Sequence, residues 1–167
     1  LGEIGLDFFW ETTSPEQQYA ALEPQLDLAA RYALPVVFHA RNAMPELLDV
    51  LERRPAQPYL FHCFSGSTSD AARAHALDAY IGIGGPITYK KNNELREIVA
   101  QYPRERVVLE TDSPYLSPEP VRRKPNEPAN IPLIGSAVGK QWGINPTEVA
   151  AITTQNALRL FTKLRRA

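Results

Sequence analysis

The feature that most constrains this chain is an alternation. Short, continuously apolar runs are separated by longer segments carrying a single apolar stripe. Residues 2–6, 35–39, 59–63, 80–84 and 107–110 read as strands, and 15–32, 44–53, 69–77 and 94–102 as helices between them. The strand runs show little polar alternation, so both faces are expected to be buried. That pattern belongs to parallel sheets covered by helices. A loop rich in proline and basic residues is expected from 113 to about 132, followed by helices over about 133–142, 146–153 and 155–164.

Local signals support several of these boundaries. Ser14, Pro15 and Gln17 form an N-cap, a first-turn proline and the far half of a capping box. Tyr19, Leu22, Leu26 and Ala29 then recur at helical spacing. Pro24 inside this helix removes a hydrogen bond and is expected to kink it. Asn145 before Pro146 reads as a second cap.

Five β-α units in series fit an open doubly wound sheet or part of an eight-stranded barrel. No Gly-x-Gly-x-x-Gly series is present, and Gly82-Ile83-Gly84-Gly85 lacks the Lys-Ser/Thr tail of a phosphate loop. Polar chemistry recurs at the strand ends, as barrel active sites require. The expectation is an α/β chain with residues 1–167 as one domain. The first residue is Leu1, inside what reads as a strand, so further chain is expected upstream.

No apolar stretch approaches a membrane span, and no secretory leader opens the chain. One cysteine, Cys63, excludes an internal disulfide and fits a reducing, cytoplasmic setting. The net charge of -1 decides nothing about nucleic acid. Its distribution is more informative, since Lys90-Lys91 and Arg122-Arg123-Lys124 are the densest basic groups and both fall in expected loops.

Glu3, His39, His62 and Asp112 share one property: each places a carboxylate or imidazole within or just after a strand. In a parallel barrel these ends converge on one mouth. Imidazole nitrogen with carboxylate oxygen suits Zn, Mn, Fe or Mg-type ions. Each also has a structural alternative. Glu3 can pair with a cation, the histidines can be hydrogen-bonded core residues, and Asp112 before Ser113-Pro114 can be a turn residue. His75, the third histidine, lies in an expected helix and reads as surface or packing. Cys63 reads as a packed thiol.

Four segments then read together: Gly2-Glu3-Ile4-Gly5-Leu6-Asp7, Pro35-Val36-Val37-Phe38-His39-Ala40-Arg41, Phe61-His62-Cys63-Phe64-Ser65-Gly66, and Leu109-Glu110-Thr111-Asp112-Ser113-Pro114-Tyr115-Leu116. In order and spacing they resemble the TatD-related metal-dependent deoxyribonucleases of the metallo-dependent hydrolase superfamily. Asn126-Glu127-Pro128-Ala129-Asn130-Ile131 and Asn156-Ala157-Leu158-Arg159-Leu160-Phe161 are similar to that family as well.

The resemblance implies a (β/α)₈ barrel of which this chain holds strands four to eight, lacking the N-terminal strands. It implies a hydrolase of DNA phosphodiesters, exonucleolytic in mode, using divalent ions (Mg, Mn or Zn), two per complete site. The residue matching Glu3 bridges the ions, those matching His39 and His62 bind one, and that matching Asp112 binds the other beside the attacking water. Glu3 and Asp112 are thus the catalytic candidates. The family's His-x-His pair has no counterpart here, so one ion site is expected to be incomplete. Arg41, Lys90, Lys91, Arg122, Arg123 and Lys124 are candidate DNA contacts. Phe8, Phe9, Trp10, Tyr89 and Tyr115 follow strands and can stack on unpaired bases or simply pack. Glu110 can support the site or fill the barrel interior. Two alternatives remain at this point: an amide or ester hydrolase of the same superfamily, and a non-catalytic partial barrel that self-associates through exposed strand edges.

Overall fold

The computed structural model describes residues 1–166. It is α/β and divides into two compact units, Leu1–Tyr80 and Ile81–Ala167. Among the described residues no helix is long and apolar enough to cross a membrane.

The first unit contains β1 (Ile4–Asp7), α1 (Pro15–Arg31), β2 (Val36–Arg41), α2 (Met44–Leu51), β3 (Tyr59–Phe61) and α3 (Thr68–Ala76). β1 pairs with β2, and β2 with β3, all parallel. Side chains alternate across the pleat. Ile4, Leu6, Val36 and Phe38 are buried on one face, whereas Gly5, Asp7, His39 and Arg41 occupy the other. Helix α1 packs on β1 through a stripe that buries Leu22, Leu26 and Ala29, and α2 packs on β1 and β2. Phe38 lies 5.3 Å from Tyr59 and 5.6 Å from Phe61 between ring centroids. Burying each such ring contributes on the order of 2–3 kcal/mol, so this aromatic layer anchors β2 and β3 and with them the residues at their ends.

Helix α1 begins as expected. The Ser14 hydroxyl accepts from the Gln17 N–H while the Gln17 side chain accepts from the Ser14 N–H. It continues as one helix past Pro24. An equivalent box, Ser67 with Asp70, starts α3. The strand ends differ from the expectation. β1 and β2 extend to Asp7 and Arg41 because those two residues pair in the parallel register, a property of the partner strand that neither local sequence carries. β3 stops at Phe61, and two residues later Cys63 has φ 43°, which ends the extended backbone.

The second unit contains α4 (Asn93–Gln101), β5 (Val107–Leu109), α5 (Ile131–Trp142) and α6 (Pro146–Leu160). β4 (Tyr80–Ile83), whose first residue closes the first unit, pairs parallel with β5. Helix α6 is a single helix where two were expected. Thr153 and Thr154, at the expected boundary, are β-branched and lower helix propensity. Yet the Thr153 hydroxyl donates to the Val149 carbonyl inside the helix. The cap at Asn145 is as expected, with Glu148 completing the box. Helix α5 ends on Gly143 at φ 66°, a left-handed position that glycine takes without strain. Buried Asn156 donates to the carbonyls of Arg104 (2.7 Å) and Val107 (2.8 Å), tying α6 to the start of β5.

Candidate functional site

Glu3 immediately precedes β1, and His62 immediately follows β3. His62 receives its position from the sheet, since its N–H donates to the Phe38 carbonyl at 2.9 Å. Its imidazole Nε2 lies 3.8 Å from Glu3 Oε1, with the ring largely buried and the carboxylate half-exposed. That separation is too long for a hydrogen bond. Two ligand atoms held by one ion at about 2.0–2.2 Å each lie roughly 3–4 Å apart. The separation lies within ion-pair reach and also fits the bite of a divalent ion, which a donor set of one carboxylate and one imidazole suits.

His39 sits on the same face of the sheet, two residues before Arg41. Its Nε2 lies 2.8 Å from Asp7 Oδ2. The other oxygen, Asp7 Oδ1, accepts from the Phe9 N–H at 3.0 Å. Burial alone pushes the Asp7 carboxyl upward. The His39 hydrogen bond, the Phe9 N–H and the charge on His39 together outweigh it, leaving the carboxyl below its ordinary range. Asp7 is itself fixed to α1, because Gln18 accepts from its N–H (2.7 Å) and donates to its carbonyl (2.8 Å). Gly5, at φ 150°, makes the close pairing possible, because a side chain there would collide with the His39 carbonyl. An imidazole oriented by a carboxylate on one nitrogen is the usual setting of a metal-binding histidine. With Nε2 directed to Asp7, Nδ1 is the nitrogen left to a ligand.

Asp112 belongs to the second unit, three residues beyond β5, with φ 59°. The loop it opens is organised by buried Asn126, whose Nδ2 donates to the carbonyls of Thr111 (2.7 Å) and Tyr115 (2.8 Å). Its Oδ1 accepts from the Glu127 N–H and from Asn130. Glu110 lies across β4, where a side chain at Gly82 would strike its carboxylate.

The basic residues fall into two groups. In the first unit the Arg41 guanidinium lies 3.6 Å from the Phe9 ring centroid and 5.6 Å from that of Trp10. In the second, Arg122 lies 3.4 Å from the Tyr89 centroid, and the Tyr89 hydroxyl donates to the Ser117 carbonyl. Lys90, Lys91, Arg123 and Lys124 are exposed in the loops where they were expected. His75 is on the exposed side of α3. Among the expected ligands of the first unit, the structure brings Glu3 and His62 together and places His39 on Asp7. Sequence reasoning gave no role to Asp7 or Asn126. The period-two series Glu3, Gly5, Asp7 beside Val37, His39, Arg41 carried the signal for Asp7 once the strands are paired in register.

The family model for TatD related DNase matches residues 1–162 of this chain. The chain belongs to the TatD related DNase family. It is 34% identical over 163 residues to the uncharacterized metal-dependent hydrolase YabD of Bacillus subtilis, covering 96% of this chain and 64% of that protein. It is 39% identical over 170 residues to the 3'-5' ssDNA/RNA exonuclease TatD of Erwinia tasmaniensis, covering 96% and 65%. The crystal structure of YjjV, a TatD homolog from Escherichia coli K12, superposes with a TM-score of 0.89 at 34% identity, covering 96% of this chain and 62% of that one. The chain thus spans under two thirds of the length of these TatD-family relatives.

Proposed function

We propose that the chain is the metal-bearing part of a phosphodiester hydrolase acting on DNA, exonucleolytic in mode. The observation that carries this reading is the 3.8 Å gap between Glu3 Oε1 and His62 Nε2, which matches the bite of a divalent ion. Its support is membership of a DNase family, together with the exonuclease named in Erwinia tasmaniensis. In this reading the metal ligands are Glu3, His39, His62 and Asp112, and the ions are Mg, Mn or Zn, two in a complete site. Bound ions of this type acidify water and neutralise phosphate charge. Glu3 holds the ion position shared with His62. His39, oriented by Asp7, supplies a neutral nitrogen. Asp112 accepts the proton of the attacking water. Arg41, Lys90, Lys91, Arg122, Arg123 and Lys124 bind backbone phosphates.

The five strands correspond, on this proposal, to the fourth to eighth of an eight-stranded barrel within one domain. In support, the chain covers 62% of the YjjV chain, which is consistent with part of such a barrel. A reducing, cytoplasmic setting fits the free Cys63. Expressed by itself, the chain associates with further copies along β1, which pairs with β2 on one side.

The test is cleavage of a labelled single-stranded oligonucleotide with Mg²⁺ or Mn²⁺, alongside bound-metal analysis. It is run on this chain and on a version extended by a strand carrying His-x-His. Metal-dependent release of mononucleotides that disappears in Glu3→Gln supports the reading. Hydrolysis of amide or ester substrates with intact oligonucleotide overturns it.

A further inference from the structure

Two of the larger exposed apolar side chains of the first unit sit side by side at the end of β1. Phe9 is 46% and Trp10 58% exposed. They do not pack into the core as aromatics after a strand usually do. They meet edge to face, with ring centroids 4.8 Å apart. Arg41, at the end of β2, lays its guanidinium over the Phe9 ring. Three side chains that could each move freely in solvent are thus held in one arrangement.

Its surroundings set Arg41 apart from two other arginines of the unit. Arg54 is paired with Glu23 and Asp27, and Arg73 with Asp49 and Glu52. Arg41 has no carboxylate within ion-pair reach among the described residues. Its register partner is Asp7, yet both Asp7 oxygens are directed elsewhere, one to the Phe9 N–H and one to His39. A guanidinium stacked on a ring keeps its in-plane N–H donors for an oxygen-rich partner. Two clefts flank the group. One of about 280 Å³ is lined by Asp7, Trp10, Thr12, Thr13 and Gln25. The other, of about 420 Å³, is lined by Arg41 itself with Asn42, Ser65 and Ser67. Trp10 therefore faces one cleft and Arg41 the other.

We propose that Phe9, Trp10 and Arg41 form a subsite for one unpaired nucleotide of the substrate strand. Trp10 stacks on the base, Arg41 ion-pairs with the adjoining phosphate, and Phe9 holds both in place. The proposal rests on the nucleic-acid reading above and adds the residues that select a single strand, since a base inside a duplex has no free face to offer. Asp7 joins this subsite to the metal-ligand histidine, because one carboxylate positions the Phe9 turn with Oδ1 and His39 with Oδ2.

The test uses binding without metal, in EDTA, so that it does not depend on cleavage. The chain has two tryptophans, and Trp142 is only 5% exposed, so quenching of the indole fluorescence reports on Trp10. The probes are a short oligothymidylate, an abasic oligomer of equal charge, and a blunt duplex. The expected result is quenching by oligothymidylate alone. Trp10→Ala should raise the Kd for oligothymidylate, read by anisotropy, about tenfold, with the abasic oligomer unaffected and Trp10→Phe recovering most of the loss. Arg41→Gln should weaken both single strands and lower the salt dependence by about one released counterion. Equal affinity for thymidylate and abasic oligomers, no binding to any probe, or a Trp10→Ala protein that binds like the parent each overturns the subsite. Cleavage with Mn²⁺ is measured in parallel on the same proteins extended by a strand carrying His-x-His. Base-dependent binding without cleavage removes the hydrolase reading and leaves the subsite, whereas cleavage with base-indifferent binding does the reverse.

Discussion

Asp7 Oδ2 lies 2.8 Å from His39 Nε2, across the parallel pairing of β1 with β2. This contact fixes which imidazole nitrogen is available to a ligand. Removing the carboxylate frees the ring to rotate and to change tautomer. Asp7→Ala should lower Mn²⁺ affinity by about 10–100-fold, measured by calorimetry, with the far-ultraviolet dichroism unchanged. Asp7→Asn, which keeps an acceptor but loses the charge, should fall between the two. Equal affinity in all three proteins would remove Asp7 from the site.

Gly5 tests how far that contact depends on close strand approach. A side chain at this position meets the His39 carbonyl, and its φ of 150° is one that other residues rarely adopt. Gly5→Ala should destabilise the first unit by roughly 3 kcal/mol, combining overpacking and backbone strain. A urea melt reads this directly. A shift of a few tenths of a kcal/mol would mean that β1 yields easily there.

Asn126 holds the loop that begins at Asp112. Its side-chain amide satisfies two carbonyls, those of Thr111 and Tyr115. Asn126→Ala leaves both without that donor, at about 1–3 kcal/mol each. The expected outcome is a loss of about 2–6 kcal/mol in chemical denaturation. In the active protein, kcat should fall more than KM changes. Normal stability and normal kcat together would show that the loop is held by other contacts.

Association of the chain is a separate matter. Sedimentation velocity at rising concentration should show growth beyond the monomer, as an uncovered β1 edge would cause. A single monomeric species at all concentrations would contradict the edge-pairing proposal.

The parts of this fold that are legible in the sequence are those decided within a few residues. The boxes at Ser14–Gln17 and Asn145–Glu148 need only local hydrogen bonds, and both are present. Glu3, His39, His62 and Asp112 stand out because each lies within or just after an expected strand. What escaped depends on pairing between distant segments. Asp7 was read as lying beyond β1, yet its partnership with Arg41 in the ladder makes it part of the strand and turns it towards His39. The stacking of Arg41 on Phe9 needs the same register. Asn126 was visible as part of a motif, but its task is to bond carbonyls 11 and 15 residues away, which no periodicity predicts. The continuity of α6 was hidden for the opposite reason, since a threonine that disfavours helix locally bonds back into it.

On the function proposed above, Glu3 and His62 share a divalent ion used in phosphodiester cleavage. The most direct measurement is Mn²⁺ titration of the protein extended by a His-x-His strand, following bound metal and release of mononucleotides from a single-stranded oligonucleotide together. Both should rise in step, and Glu3→Gln and His62→Ala should each lose at least one bound ion along with cleavage. Cleavage that persists in either variant with metal content unchanged would contradict that sharing.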